Sequence, residues 1–408
     1  MVGFNTKAIH AKGQKPDAHQ ALRAPIYAGV SYAFDTAEDI EQAFRGNRPS
    51  HMYSRISNPS VEVFENKMKA LEDGLGTIAV ASGMAAIANV LLAILQSGDN
   101  IIAANALFGG TTSLLKNVLT PMGIETRFAD FDDLDQIRQR IDKNTRILFF
   151  ETITNPQMKV HDISAIVKLA QANGIVVVVD STVTTPYLFR SKDYGVNIVV
   201  HSSSKFISGG ATSIGGVIVD MGNYDWTQIQ KLGKFHRFKE WALLAKLRKE
   251  VYRDLGACLS AHNAYLQDVG LETLSLRLDR CCENSLVIAK ALENQPTVCR
   301  VNYPGLKSSP YHELARNQFQ GQFGAVLSFE LADKAAAFQF LNRLKLFRRA
   351  TNIGDNTSLA IHPASTIFVE YSLDERAQMG VPEGMIRLSV GIENVEDLVE
   401  DIESSLRR

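Results

Sequence analysis

Residues 175–220 read IVVVVDSTVTTPYLFRSKDYGVNIVVHSSSKFISGGATSIGGVIVD, and their pattern decides the fold. Five consecutive β-branched residues, Ile175 to Val179, end in Asp180. A second apolar run, 197–201, leads into Ser202-Ser203-Ser204-Lys205, and a third fills 215–219. Val/Ile runs without polar alternation belong to strands covered on both faces, which means a mostly parallel sheet between layers of helices. Toward the N-terminus the grammar repeats. Strand-like runs occupy 77–81, 100–104, 124–129 and 146–151, with helix-like segments at 84–96, 111–122, 133–142 and 162–173. The seven runs predict an α/β fold with a mostly parallel seven-stranded sheet and flanking helices. The connection after Lys205, FISGGATSIGG, has no helical period and is short for a crossover, so the seventh strand is expected to run antiparallel.

Residues 231–271 read as helical and lead into a smaller α+β domain with strands expected at 325–331 and 387–390. Asn394 is placed to cap a final helix, 395–406. The first sixty residues show little regular pattern and read as an arm. The chain has 408 residues, 45% apolar and 21% charged, with a formal net charge of −1. That balance gives no electrostatic footprint for nucleic acid or an anionic membrane. The richest basic stretch, 231–253, reads as a solvated helix face. Cys258, Cys281, Cys282 and Cys299 show no metal-ligand spacing and read as free thiols of a reducing compartment. The N-terminus lacks the apolar core of a signal peptide, and the apolar stretch 78–95 is interrupted by Ser82-Gly83 and Asn89. A cytoplasmic protein is expected.

In an open α/β sheet, ligands bind at the carboxyl ends of the strands. Four of these ends carry unusual chemistry. The first strand ends in Ser82-Gly83-Met84 and opens a helix, whose free amides and dipole attract a phosphate that Gly83 lets close to the backbone. The fourth ends in Glu151-Thr-Ile-Thr-Asn155-Pro156, where the Asn155 amide could donate to a phenolate oxygen. Asp180 and Lys205 complete the set. A strand ending in Asp beside one ending in hydroxyls and Lys suits a pyridinium ring: Asp for the ring nitrogen, Lys for an aldehyde, hydroxyls for a phosphate. That ligand is pyridoxal 5′-phosphate (PLP). Each motif is bland alone; SSSK by itself is an ordinary polar loop. No GxGxxG follows the first strand, which excludes a dinucleotide-binding reading.

YSRISNP from Tyr53, VVVVDSTVTTPYL, VVHSSSKFISGGATSIGGVIVD and RLSVGIEN from Arg387 together resemble the cysteine/methionine-metabolism family of fold-type-I PLP enzymes. SIGGVIVD and NIGDNTSLAIHPAST, from Asn352, are most similar to its O-acetylhomoserine sulfhydrylase branch. The resemblance implies an aspartate-aminotransferase-like fold with an arm at 1–60 that contacts a neighbouring subunit, a PLP-binding domain at 61–255 and an α+β domain at 256–408. It implies Lys205 as the lysine that carries PLP, with Asp180 on the pyridine nitrogen and Phe108 against the ring. Ser82, Gly83, Met84, Ser202 and Ser204 hold the phosphate, joined by Tyr53 and Arg55 from another subunit, and Asn155 lies near the phenolic oxygen. Arg387, helped by Asn352, binds the substrate carboxylate, and Tyr53 is a possible proton donor.

The implied reaction is γ-replacement on an O-acylhomoserine with sulfide or a thiol, giving homocysteine or methionine. The alternatives are a methionine or cystathionine γ-lyase, a cystathionine γ-synthase, or a non-catalytic PLP-fold protein. The implied assembly is a homotetramer, a dimer of dimers with shared sites. Four places depart from the family's pattern. Phe108 stands where Tyr is usual, and Gly110 where methionine γ-lyases have Cys. Ser208-Gly209-Gly210 replaces SGH, and HPAST continues as Ile367-Phe368 instead of TH.

Overall fold

The computed structural model describes residues 2–11 and 19–407. Met1, residues 12–18 of the expected arm and Arg408 lie outside the described residues. Seven strands form the main sheet: β1 Gly76–Val80, β2 Asn100–Ala104, β3 Glu125–Ala129, β4 Thr145–Glu151, β5 Val176–Asp180, β6 Ile198–His201 and β7 Gly216–Asp220. Their spatial order is β1-β7-β6-β5-β4-β2-β3. From β3 through β6 every pairing is parallel, whereas β7 runs antiparallel to both β6 and β1. β1 therefore points the same way as β5 and β6, so Ser82, Asp180 and Lys205 follow strand ends on one edge. β1, β2, β5, β6 and β7 are buried almost throughout, because helices such as Gly83–Ile94 and Ile163–Ala172 cover the faces.

A second sheet, β8 Arg300–Asn302, β9 Val326–Glu330, β10 Leu359–Ile361 and β11 Met385–Ser389, is antiparallel in the order β10-β11-β9-β8. It has its own core, which includes Leu292, Phe329, Phe340, Ile386, Leu388 and Ile402. β8 and β10, three residues each, escaped the sequence reading because neither is long enough to show a period.

Other differences have local causes. The segment 231–271 is helical but broken at Gly256, which adopts φ 71° where L side chains are strained. Segment 111–122 is a short α-helix, a π-helical turn and a 3-10 turn in succession. Among the described residues of the expected arm, helices span Phe4–His10 and Ala37–Arg45. Asn394 precedes the helix Val395–Leu406 but makes no side-chain cap bond. The basic stretch is not simply solvated. Lys231 Nζ donates to Leu92 O at 2.6 Å and to Leu95 O, and Arg248 pairs with Glu65 at 2.5 Å. Cys281 and Cys282 are buried, Cys299 is exposed, and all four thiols are free. Among the described residues, no helix is long and apolar enough to cross a membrane.

Candidate active site

Lys205 ends the Ser-rich turn after β6, and its Nζ donates to Asn352 Oδ1 at 2.6 Å. Gly354 makes this approach possible. With φ 74°, it lies so close that a Cβ would come within 2.6 Å of Phe206 N. The Asn352 carbonyl accepts from Arg387 Nη2 at 2.8 Å, and Arg387 Nη1 lies 3.4 Å from Asn155 Oδ1. Arg387 comes from β11 in the smaller sheet, is 2% exposed, and leaves its Nε without a partner among the described residues. Burial lowers its proton affinity. Burial also lowers that of Lys205, and the positive charge of Arg387 adds to the effect. One chain of polar contacts thus runs from Lys205 through Asn352 and Arg387 to Asn155, joining the two sheets.

A second set lies beside it. Asp180 Oδ1 accepts from Thr182 N at 2.9 Å, an Asx turn that fixes the carboxylate at the strand end. The Thr182 hydroxyl oxygen accepts from Ser202 N at 2.8 Å, which ties the turn after β5 to the turn after β6. Gly83 packs so tightly on Ser202 that a Cβ would lie 2.6 Å from the serine's own. Ser82 Oγ accepts from Ala85 N, capping the helix Gly83–Ile94. The amides of Gly83 and Met84 precede the first intrahelical bond. Ser204 Oγ donates to Gly215 O and accepts from Gly215 N, each at 3.0 Å.

Phe108 is 39% exposed, and its ring bends over Gly110, where a Cβ would sit 2.7 Å from the ring edge and 3.3 Å from Met84 Sδ. Its backbone N–H donates to Glu151 Oε1 at 2.6 Å. Tyr371, the phenol against this loop, turns its hydroxyl to Gly109 O at 3.4 Å.

Two of the expected residues are not brought into this network. The Arg55 guanidinium donates to Arg253 O at 2.8 Å and lies over the exposed Tyr53 ring at 5.4 Å. Conversely, sequence reasoning assigned nothing to Thr182, Glu151 or His201. Thr182 stands two residues past Asp180, a spacing that could have signalled the turn. His201 Nε2, fully buried, contacts Glu72 Oε1 at 2.6 Å, and Glu72 lies 129 positions away, so no local signal points to it.

The Cys/Met metabolism PLP-dependent enzyme family matches residues 5–407. The chain is 39% identical to an L-methionine gamma-lyase of Pseudomonas putida, over 100% of this chain and 98% of that one. A crystal structure of a candidate O-acetylhomoserine (thiol)-lyase of Campylobacter jejuni superposes with TM-score 0.93 at 34% identity, covering 100% of both chains. That protein carries N′-pyridoxyl-lysine-5′-monophosphate at its position 205. An O-acetylhomoserine sulfhydrylase of Wolinella succinogenes is 44% identical, with TM-score 0.78 over 86% of this chain and 99% of that one. Agreement across the whole length, in sequence and in fold alike, means that this chain belongs to the PLP-dependent enzymes of Cys/Met metabolism.

Proposed function

We propose that the protein catalyses γ-replacement on an O-acylhomoserine, with sulfide or a thiol as the incoming nucleophile, and that the strand-end residues described above carry it out. Three features support placing PLP at this edge. The helix N-terminus at Gly83 is bare against Ser202, leaving backbone amides for a phosphate. Asp180 is a half-buried carboxyl fixed by Thr182 beside the Lys205 turn. Arg387 is a buried guanidinium whose Nε has no partner among the described residues. Lys205 would carry the cofactor, with Asp180 on its ring nitrogen and Phe108 on its face. Asn155 would sit near its phenolic oxygen, and Ser82, Gly83, Met84, Ser202 and Ser204 around its phosphate.

PLP, when bound, stores the electron pair released at the substrate's α carbon. The chain supplies the rest. Arg387 grips the substrate carboxylate as a planar fork, and Asn352 holds the fork through its carbonyl. The Lys205 amine, whose proton affinity burial and the charge of Arg387 lower, takes the α proton. A β proton then leaves, the Cγ–O bond breaks with the acyl group departing as a carboxylate, a Cγ–S bond forms to the incoming thiolate, and the β and α carbons take their protons back.

The observation that favours an ester substrate is Phe108. A carboxylate leaves without a proton, whereas an alkyl thiolate gains much from a general acid. The ring over Gly110 has no hydroxyl to give, and the nearby Tyr371 phenol faces a backbone carbonyl. The 39% identity to a methionine gamma-lyase favours a second reading, elimination to ammonia and a 2-oxo acid. Turnover of acylhomoserines, cystathionine and methionine, with and without sulfide, separates the two. Homocysteine formed from an acylhomoserine only when sulfide is present supports replacement. Ammonia and 2-oxo acid released from methionine regardless of sulfide would overturn it.

The arm fits a site shared between subunits of a homotetramer, with Tyr53 and Arg55 serving the neighbour's phosphate, since their bonds in this chain go elsewhere. Mixing inactive Lys205→Ala and Arg55→Ala oligomers should restore activity, because some dimers then hold one intact site. No recovery from demonstrably mixed oligomers would show that Arg55 acts within its own chain.

A further inference from the structure

We propose that Glu151 is a positioning residue whose single carboxylate clasps the turns bearing Phe108 and Asn155, and so sets the plane of the cofactor ring above Asp180. The inference rests on the site reading above. Glu151 is the last residue of β4 and lies directly across from Asp180 in the parallel register of β4 and β5. It is 5% exposed, and among the described residues no Lys, Arg or His pairs with it. A buried carboxylate without a cation is expensive, and it persists only where hydrogen bonds hold it.

Two different turns reach it. Phe108 N donates to Oε1 at 2.6 Å from the loop after β2, and the Asn155 backbone amide, in the loop after β4, acts to lower its proton affinity. Thr152 N, next along the chain, donates to Asp180 O at 3.1 Å. Residues proposed for the ring face, the phenolic oxygen and the ring nitrogen therefore converge on one strand end. Burial, and then the charge of Asp180, raise the proton affinity of Glu151, as two neighbouring carboxyls require. A carboxyl presents an oxygen to each of the two turns, whether or not it holds its proton. Glutamine keeps the volume but turns an NH2 toward one of them.

The test compares Glu151→Ala, Glu151→Gln, Asp180→Asn and wild type as holoenzymes. Visible circular dichroism of the bound cofactor, its dissociation constant, and the thermal midpoint of the apoprotein are measured for each. In both Glu151 variants the visible dichroism per bound PLP should fall by about half or more. The dissociation constant should rise about tenfold, about 1.4 kcal/mol of lost ring positioning, with the apoprotein midpoint little changed. Wild-type dichroism and affinity in Glu151→Gln, with Asp180→Asn altered, would overturn the inference and leave the site reading standing. Wild-type behaviour of Asp180→Asn would instead remove the site reading beneath it. Should Glu151→Ala fail to fold, the isosteric Gln variant decides alone. A fall in its apoprotein midpoint that matches the loss of dichroism would mean Glu151 is only structural.

Discussion

Two strands of the main sheet end almost identically in sequence, VVVVD at Asp180 and GVIVD at Asp220, yet the two aspartates face different worlds. β5 is parallel to its neighbours, so Asp180 emerges beside the Lys205 turn and is tied through Thr182 to Ser202. β7 is antiparallel, so Asp220 emerges at the opposite edge, across from Ile198 at the start of β6 and Gly76 at the start of β1. There it accepts from Gly222 N at 2.9 Å, while its backbone oxygen accepts from Leu75 N. Asp220 is buried and Asp180 half-buried, and desolvation raises the proton affinity of each. A perturbed carboxyl at a strand end is therefore not by itself a site. Strand direction decides which of them meets a lysine.

The comparison breaks first on activity. Asp180→Asn keeps the shape of the side chain but removes its charge, and should lower kcat by about 10³-fold through lost electrostatic stabilisation. Lys205→Ala should lower it by about 10⁴-fold and abolish the visible absorbance of the cofactor. Asp220→Asn should leave both near wild type. Steady-state kinetics and absorbance spectra of the three variants check this. An Asp180→Asn enzyme as active as Asp220→Asn would mean the two ends are functionally alike.

Arg387 sharpens the same edge from the smaller domain. Arg387→Lys keeps the charge but loses the planar fork and its bond to Asn352 O. Amino-acid binding should weaken by about 2–4 kcal/mol, read as KM or as the dissociation constant of an unreactive amino acid. PLP affinity should hardly move. Normal substrate binding with weak cofactor binding would mean that Arg387 faces the cofactor.

The aspartates also show why part of this molecule was legible in its sequence and part was not. β4, β5 and β6 announce themselves because a strand buried on both faces has no polar positions, and the chemistry at their ends follows from chain order alone. The antiparallel β7 was readable because eleven residues without helical period are too few for a crossover. β8 and β10 are three residues long and carry no period. Glu151 meets Phe108 across 43 positions, and Arg248 meets Glu65 across 183, so these buried partners are set by tertiary contact. Lys231 and Arg248 looked like ordinary surface cations for that reason. The folding of residues 352–354 against the Lys205 turn is equally remote, and it explains why Asn352 was reached through family resemblance and not from spacing.

A smaller effect is expected at Phe108. Phe108→Tyr would place a hydroxyl where none stands, on a ring packed over Gly110 whose backbone amide Glu151 holds. Elimination from methionine or cystathionine should rise by about tenfold, at the low end of what a positioned general acid supplies, with little change for an acylhomoserine. Parallel kcat/KM measurements on both substrate types check it. Equal gains on both would show that proton donation at this position does not choose the leaving group.

The last expected effect belongs to Asp220, and it concerns stability, not activity. Burial pushes this carboxyl up to about 7 in the folded protein. In the unfolded chain an aspartate gives up its proton near pH 4. Between those values the unfolded chain has lost a proton that the folded protein still holds, so the unfolded state gains as pH rises. The stability tied to the protonated Asp220 is thus fully present below about pH 4 and is lost as pH climbs to about 7; above that the deficit is constant. Asp220→Asn offers Gly222 the same acceptor and cannot ionise. It should match wild type at pH 4, lack this share of the decline, and be more stable at pH 8 by on the order of a few kcal/mol at most. Thermal midpoints of both holoenzymes from pH 4 to 8 make the measurement. An unchanged slope in the variant would place the pH dependence on other groups. A variant that instead lost its cofactor would show that the β7 edge communicates with the Lys205 edge, and that strand direction alone does not separate the two aspartates.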